Sequence, residues 1–295
     1  MPLTNLRCLM LNAGGAFLPD KDAAKVWATQ TATDLDSRPH LVFVQEVPSE
    51  GWLDAWRERD YRVILGHPRG WTVRSAILTM LPENECPPLT ADEVPELAYH
   101  GEYVAAARLA GWGDAGADLT LLSVHASPKP TTPGYLRHHP DPQRLQHRDG
   151  GQDPRHRGEL FDADVVLDTV AQYVPSVLAC GDLNEALGWD EVDAHAGHTW
   201  GKELFGVRMD DGGLIDGAVQ RLGLVTVPLD VKGGEVVTRR APGHPALQLD
   251  HILTGSAIAG RVRGIDVHSA WQQETPAVPG LADHAPVRVC LWQGP

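Results

Sequence analysis

Short apolar runs recur along the chain and predict a fold dominated by β-strands. The runs are rich in β-branched and long aliphatic residues, and polar or Gly/Pro-containing segments separate them. They occupy residues 6–12, 40–44, 61–65, 75–80, 102–109, 118–124, 176–180, 249–254 and 286–292. Helical periodicity is present at residues 20–36, 51–59, 157–174 and 212–222. Because the helices intervene irregularly, the pattern indicates an α/β protein with large mixed sheets rather than a repeated βαβ unit.

Residues 126–159 interrupt this pattern. The segment has no periodic hydrophobicity and is rich in proline and glycine, so it predicts a long loop insertion within a single domain that spans residues 1–295. A long loop in a compact domain is usually functional or disordered. Its low apolar content predicts that it buries little surface and is mobile without substrate. It is either a solvated surface insertion or a flap that faces phosphate.

The composition is that of a globular protein, with 42% hydrophobic and 22% charged residues. No apolar run of about 18 residues is present, so no membrane span is expected. The N-terminal residues lack the basic segment and apolar core of a signal peptide. The four cysteines are widely spaced and form no C-x-x-C pair, which favours small core residues in a reducing cytoplasm over a zinc site. No obligate protein partner is evident.

Polar residues stand where the apolar runs end or begin. Each has a structural explanation when taken alone, such as a turn after a strand or an Asx turn that caps a helix. Their number and placement suggest a shared rim, because strand ends position binding and catalytic groups on a rigid scaffold. The strand-end residues are Asn12, Gln45, Glu46, His125, Asp182, Asn184, Asp250, Asp283 and His284.

The order of these motifs resembles the endonuclease/exonuclease/phosphatase superfamily. The motifs read L-N-A at 11–13, V-Q-E-V at 44–47, S-V-H-A-S at 123–127, G-D-L-N at 181–184, L-D-H-I-L at 249–253 and A-D-H-A-P at 282–286. One departure is Ala282, where the family usually has serine. The resemblance implies the deoxyribonuclease-I-like fold, an α/β four-layer sandwich of two packed mixed β-sheets flanked by helices. It also implies a metal-dependent hydrolase that acts on phosphoester bonds.

The resemblance assigns a divalent cation to one side of the site. Hydrolysis of a phosphoester requires neutralisation of the phosphate charge, and a hard cation held by oxygen ligands supplies this. The candidate ligands are Glu46, Asn12 through its amide oxygen, and Asp283. Oxygen donors favour Mg²⁺ or Mn²⁺.

The resemblance also assigns the proton-transfer groups. Asp250 is expected to hydrogen-bond His284 and to fix the tautomer of its ring. Asp182 is expected to align or deprotonate the attacking water, and the role of base is shared between Asp182 and His284. Asn184 is expected to donate to a phosphoryl oxygen. His125 is expected to contact the phosphate or to protonate the leaving group.

The charge distribution bears on the substrate. Residues 126–159 contain six Lys/Arg and four acidic residues, a net charge of +2 that leaves −16 for the rest of a chain whose total is −14. An acidic body disfavours long nucleic acid, because phosphate neutralisation supplies most of its binding energy. We therefore expect a phosphorylated small molecule or a short nucleic acid as the substrate, bound in part by Arg137, Arg144 and Arg148.

Three alternatives remain open from the sequence. The protein could be a nuclease that acts on DNA or RNA. The family fold could be recruited to a different reaction in a biosynthetic pathway, since a fold does not determine a function. The chain could also be a catalytically silent binding scaffold.

Overall fold

A computed structural model describes most of the strand-forming part of the chain. The described residues are 4–14, 38–68, 74–127, 131, 133–142, 145, 162–184, 222–229, 238, 248–267 and 284–293. The strands are β1 (Asn5–Asn12), β2 (Leu41–Gln45), β3 (Arg62–Leu65), β4 (Ala76–Thr79), β5 (Val104–Leu109), β6 (Leu119–His125), β7 (Val177–Asp182), β8 (Leu224–Thr226), β9 (Asp250–Gly255), β10 (Val262–Val267) and β11 (Val287–Trp292). The α-helices are α1 (Glu50–Arg57), α2 (Pro95–His100), α3 (Pro133–Leu136), α4 (Asp162–Ala171) and α5 (Ser256–Ala259).

All nine strands predicted from apolar runs are present in the structure. The pattern missed β8, which has only three residues, and β10, whose V-R-G-I-D-V sequence is polar because it lies at an exposed sheet edge. It also missed α2, α3 and α5, which are too short to show helical periodicity. Helix α1 begins one residue before the predicted 51–59 region, and helix α4 lies inside the predicted 157–174 region. The helices predicted at 20–36 and 212–222 fall outside the described residues, apart from Leu222.

The strands form two mixed sheets. The six-stranded sheet has the order β10-β11-β1-β2-β4-β3, and the five-stranded sheet has the order β5-β6-β7-β9-β8. One parallel pair lies inside each sheet, β1 with β2 and β6 with β7, while the other neighbours are antiparallel. The carboxyl ends of a parallel pair meet at the same edge, so each sheet brings two strand ends together.

A shared apolar core joins the two sheets face to face. Alternate residues of the central strands point into it, such as Met10 and Phe43 from one sheet and Leu121 and Leu178 from the other. Each of these side chains is fully or almost fully buried. Full burial of a large aliphatic side chain contributes about 1.5–3 kcal/mol, so this layer supplies much of the stability.

Helices cover the outer faces of both sheets. Helix α1 begins after Ser49, whose hydroxyl caps it by accepting a hydrogen bond from the backbone N–H of Trp52. Trp52 and Trp56 of α1 pack on the outer face of the six-stranded sheet. Val166 of α4 and Leu97 of α2 pack on the outer face of the five-stranded sheet. The predicted four-layer α/β sandwich is therefore confirmed.

The start of the 126–159 segment is bonded to the helix that follows the segment in sequence. The backbone N–H of Ser127 donates to the carboxylate of Asp162, the first residue of α4, at 2.8 Å. The described part of the segment is not purely solvated. Leu145 is buried against Tyr99 and Val165. Leu145 and His139 are buried exceptions to the expectation that the segment buries little surface, because Tyr99 of α2 offers an apolar surface that the loop sequence does not reveal. Most other described residues of the segment are half-buried or exposed.

No described helix combines the length and apolar character that crossing a membrane would require.

Candidate active site

The strand-end motifs of the five-stranded sheet lie side by side. His125 ends β6 next to Asp182, which ends the parallel strand β7. Asp182 in turn is the register partner of Asp250, the first residue of the antiparallel strand β9. Three residues that are far apart in the sequence thus become neighbours through strand pairing alone. Their side chains are almost completely buried.

The six-stranded sheet contributes residues from the facing edge. Asn12 ends β1, and its amide nitrogen donates to Asp182 at 3.1 Å and lies 3.5 Å from Glu46, which follows β2. These contacts cross from one sheet to the other and bring the two edges into one cluster. The Asn12 amide oxygen, the expected metal ligand, accepts a hydrogen bond from the backbone N–H of Gly14 at 2.9 Å.

A histidine–aspartate pair, His284 and Asp250, lies beside Asp182. His284, which precedes β11, lies with its Nδ1 2.7 Å from the Asp250 carboxylate, and both side chains are buried. The expected hydrogen bond between these two residues is confirmed. The other ring nitrogen, Nε2, lies 3.8 Å from the Asp182 carboxylate. Because Asp250 engages Nδ1, Nε2 is the nitrogen of His284 that can exchange a proton with a bound molecule.

A second histidine lies on the opposite side of Asp182. The Nε2 atom of His125 is 3.5 Å from Glu46 and 3.9 Å from Asp182. The ring of Tyr103 stacks on the imidazole, with centroids 5.4 Å apart and an interplanar angle of 24°. Among the described residues, the buried Nδ1 atom of His125 has no hydrogen-bond partner. Stacking rather than hydrogen bonding at Nδ1 therefore orients this ring.

Two site residues have left-handed backbone conformations. Glu46 has φ of 53° and Asn184 has φ of 52°, values that few side chains other than asparagine tolerate without strain. For Asn184 the conformation closes an Asx turn, because its backbone N–H donates to Asp182 at 2.7 Å. Its side-chain nitrogen donates to the Ala126 carbonyl at 2.7 Å. Strain at Glu46 is consistent with a position kept for function rather than for stability.

Gly181 permits the close approach of β7 to β6 just before Asp182. A β-carbon at this position would overlap the backbone carbonyl of Val124. The glycine of the G-D-L-N motif is thus required by packing, and it sets the distance between Asp182 and His125.

A buried polar bridge lies directly beneath the Glu46 side of the cluster. The Gln45 amide nitrogen donates to the Ser123 hydroxyl at 2.8 Å and to the Cys180 carbonyl at 3.3 Å. The Ser123 hydroxyl donates to the Val44 carbonyl at 2.9 Å. These bonds tie β2 to β6 and β7 across the sandwich. The bridge fixes how far Glu46 stands from the five-stranded sheet.

Thr238 supports the opposite side. Its hydroxyl accepts hydrogen bonds from the backbone N–H groups of Leu249 at 3.1 Å and Asp250 at 3.2 Å. Its carbonyl accepts from the backbone N–H of Ala285, the residue after His284. One buried threonine thus holds the backbone of both members of the Asp250–His284 pair.

Burial changes the ionisation of the cluster. Burial raises the pKa of Asp182 to about 6, and the nearby Asp250 charge adds to this, while His284, His125 and the Asn184 N–H oppose it. Burial likewise raises the pKa of Asp162 to about 6. Burial by itself lowers the pKa of His125, but the surrounding carboxylates outweigh it and the pKa is raised. Burial therefore makes Asp182 and Asp162 weaker acids than a free aspartate, and the carboxylates around His125 make its ring a stronger base.

The side chains of this cluster fit a divalent cation. The ligand atoms of Glu46, His125 and Asp182 all lie within 4.8 Å of one another. Two ligand atoms about 2.1 Å from one ion are about 3 Å apart when adjacent in an octahedron and about 4 Å apart when opposite. The separations of 3.5 and 3.9 Å from His125 Nε2 to the two carboxylates fall in this range. The donor types therefore suit one ion, and the His125 and carboxylate atoms must move closer by roughly 0.5–1 Å to occupy adjacent ligand positions.

The remaining predicted site residues are not brought into the cluster by the described structure. Asp283, Arg144 and Arg148 lie outside the described residues. Arg137 is described and has an exposed side chain just after α3.

Three residues around the site carry no motif in the sequence and were missed. Tyr103 stacks on His125, Asp162 acts on the pKa of His125 through its charge, and Thr238 holds the backbone of Asp250. Tyr103 and Thr238 belong to no strand-end motif, and Asp162 opens a helix that follows the long loop. Only their contacts reveal a role.

Comparison with known proteins places the fold. No family model and no curated protein matches the sequence. The structure is similar to an AP endonuclease from Leishmania major, at 15% identity and a TM-score of 0.60, over 99% of this chain and 89% of that one. It is similar to the 3′ phosphatase NExo from Neisseria, solved with a product DNA hairpin, at 14% identity and a TM-score of 0.58, over 96% and 98% of the chains.

The endonuclease domain of TRAS1, a telomere-specific non-LTR retrotransposon, is also similar, at 15% identity and a TM-score of 0.53, over 98% of this chain and 99% of that one. These likenesses span nearly the full length of each protein. The chain has the deoxyribonuclease-I-like fold of endonuclease/exonuclease/phosphatase-type proteins, as its ordered motifs predict.

Proposed function

We propose that the protein is a metal-dependent phosphoesterase that hydrolyses a phosphodiester or phosphomonoester by in-line attack of water. The observation that carries the proposal is the arrangement around Asp182, which has the oriented Asp250–His284 pair on one side and Glu46 on the other. The deoxyribonuclease-I-like fold supports it, because its similar structures include a 3′ phosphatase and an AP endonuclease.

His284 is the proposed base. Its Nδ1 is bound to Asp250 at 2.7 Å, which keeps Nε2 free of a proton in the neutral ring and stabilises the imidazolium after proton transfer. Asp182 accepts hydrogen bonds from Asn12 and Asn184, so part of its acceptor capacity is already used. We therefore assign Asp182 to orienting the water, and His284 to accepting its proton.

Glu46 and Asp182 are the proposed carboxylate ligands of a divalent cation, with Asn12 beside them. When bound, such a cation neutralises phosphate charge and polarises the phosphoryl group. Rotation of the Asn12 amide would exchange its oxygen and nitrogen and turn an acceptor toward the carboxylate cluster. Asn184 stays a candidate donor to a phosphoryl oxygen, although its amide bonds Ala126 in this structure.

The proposed substrate is a phosphorylated small molecule or a short nucleic acid. A product DNA hairpin is bound by the similar NExo structure, which supports a nucleic acid end as one option. The −16 charge outside residues 126–159 argues against long duplex, because a polymer binder gains its affinity from many basic contacts. All four cysteines are free thiols, which supports the proposed cytoplasmic location.

A substrate panel tests the proposal. The protein is treated with EDTA and assayed with Mg²⁺ or Mn²⁺ on bis-p-nitrophenyl phosphate, p-nitrophenyl phosphate, mononucleotides, single-stranded oligonucleotides and plasmid. We expect hydrolysis that disappears in EDTA and returns with either ion. Asp182→Asn should lower the rate by at least about 10²-fold, the scale of a positioned catalytic group. Full activity in chelator, or an unaffected variant purified in the same way, would reject the mechanism.

A further inference from the structure

We infer that His125 is a metal ligand through Nε2, so that the cation site has two carboxylate oxygens and one imidazole nitrogen and prefers Mn²⁺ to Mg²⁺. This inference deepens the proposed function, on which it rests, by naming the class of ion. It differs from the interpretation of the S-V-H-A-S motif, in which His125 contacts the phosphate or protonates the leaving group.

The placement of Nε2 is the first reason. It is the ring nitrogen that faces Glu46 and Asp182, at 3.5 and 3.9 Å, and the three ligand atoms lie within 4.8 Å of one another. With an ion bound, a neutral imidazole there would supply the third donor beside the two carboxylates.

The rigidity of the ring is the second reason. His125 ends β6, is only 7% exposed, and is covered by the stacked ring of Tyr103. The backbone N–H of the next residue, Ala126, donates to the Asp182 carbonyl at 2.9 Å, so the backbones that carry the two ligands are bonded directly. A ligand held in this way loses little conformational freedom when it binds an ion.

The donor set determines the ion. Mg²⁺ takes oxygen ligands and retains its waters, whereas imidazole nitrogen favours softer first-row ions. Mn²⁺ accepts both carboxylate and imidazole ligands. A site with two carboxylates and one buried imidazole should therefore bind Mn²⁺ more tightly than Mg²⁺, by roughly tenfold on the scale of ligand effects.

Pulsed electron paramagnetic resonance of the intact protein with one equivalent of Mn²⁺ tests the inference without any turnover. Direct coordination by His125 gives a ¹⁴N coupling of the kind that a bound imidazole produces, and labelling of histidine with ¹⁵N changes it. We expect this coupling in the unaltered protein. A Mn²⁺ spectrum with no nitrogen coupling would overturn the inference, and this result does not depend on whether any variant folds.

Variants then identify the nitrogen. His125→Asn should remove the coupling and weaken Mn²⁺ binding by roughly tenfold in calorimetry while Mg²⁺ binding changes little. His138→Asn, at an exposed histidine after α3, is the matched control and should keep the coupling. Loss of the coupling in His284→Asn but not in His125→Asn would overturn the inference, because it would place the ion on the other side of Asp182.

The two proposals fail in different ways. Phosphoesterase activity with Mg²⁺ and no nitrogen coupling to Mn²⁺ rejects the ligand role of His125 and retains the proposed function. A nitrogen coupling in a protein that hydrolyses no member of the substrate panel rejects the proposed function and retains the metal site.

Discussion

His284 and His125 both direct Nε2 toward Asp182, at 3.8 and 3.9 Å, but the second ring nitrogen of each has a different environment. Nδ1 of His284 is 2.7 Å from the Asp250 carboxylate. Nδ1 of His125 has no hydrogen-bond partner among the described residues, and the ring is oriented by stacking on Tyr103. A carboxylate behind a ring favours proton uptake at the far nitrogen. The two carboxylates that face Nε2 of His125 favour a positive charge there, either a proton on the ring or a metal ion that the three side chains share.

The residues that hold the backbone also differ between the His284 side and the His125 side of Asp182. Thr238 fixes the Asp250–His284 side within one region, since it bonds Leu249, Asp250 and the residue after His284. Gln45 fixes the Glu46–His125 side by linking the two sheets. The Asp250–His284 pair is thus held by one nearby threonine, whereas the position of Glu46 relative to His125 depends on the distance between the two sheets. The two sides should therefore respond differently to substitution.

The largest effect is expected on the Asp250–His284 side. His284→Ala and Asp250→Asn should each lower kcat by about 10²- to 10⁴-fold, because they remove the base or its orientation. Steady-state kinetics on bis-p-nitrophenyl phosphate measures this. Asp266→Asn, at an exposed position of β10, is the matched control and should leave kcat unchanged. Near-normal kcat in both site variants would mean that His284 is not the base.

A stability effect is expected next, on the His125 side. The pKa of Asp162 is raised from 3.8 to about 6 in the folded state, so the folded chain binds more protons than the unfolded chain between these values. Its contribution to the free energy of unfolding therefore falls as pH rises through this window, by up to about 3 kcal/mol. Asp162→Asn keeps an acceptor for the Ser127 N–H and removes the charge. It should be more stable than the unaltered protein above pH 6.

Urea unfolding in EDTA between pH 4 and pH 8 measures the difference between Asp162→Asn and the unaltered protein. The difference should shrink toward zero near pH 4, where the Asp162 carboxyl is protonated in the folded state. Asp164→Asn, two residues along in the first turn of α4, is the control for a change of charge at this helix. A gain in stability that is the same at every pH would contradict the burial argument.

A smaller effect should distinguish Thr238 from Gln45, because replacing the first should lower kcat and replacing the second should weaken Mn²⁺ binding. Thr238→Val leaves two backbone N–H groups without their acceptor and should cost about 2 kcal/mol of stability, together with a loss in kcat. Gln45→Met should cost a similar amount but weaken Mn²⁺ binding, because it loosens the sheet distance at Glu46. Urea unfolding, kinetics and calorimetry on both variants measure this. The comparison breaks down if each variant changes kcat and Mn²⁺ affinity equally.

The smallest effect is expected from the basic loop. Replacement of Arg137, Arg144 and Arg148 by alanine should raise KM by about threefold to tenfold, because it removes positive charge that attracts an anionic substrate. Arg137 is exposed, so its loss should change stability little. The effect should shrink as salt rises, because screening already reduces the attraction. Arg263→Ala, at an exposed position of β10, is the control. An unchanged KM would show that these arginines do not bind substrate.

The sequence alone determined where the strands lie and which polar residues end them. Apolar runs separated by turn residues located nine strands, because a strand covered on both faces by other layers is largely apolar. The motifs then placed Glu46, His125, Asp182, Asp250 and His284 at strand ends. The predicted contact between Asp250 and His284 rests on the same reasoning together with the family resemblance, and the structure confirms it.

The tertiary structure decided which neighbours those residues have. Asp162 and Thr238 do not stand out in the sequence, and Tyr103 is one aromatic residue among many. Tyr103 and Asp162 gain a role because His125, 22 and 37 residues away, comes to lie beside them. Thr238 gains one because Asp250, 12 residues away, and Ala285, 47 residues away, both bond to it. Local sequence encodes whether a residue is buried and in which kind of element it lies. Only the packing of the two sheets places Asp182 between His284 and His125. Nδ1 of His284 is bonded to the Asp250 carboxylate, whereas Nδ1 of His125 has no hydrogen-bond partner among the described residues.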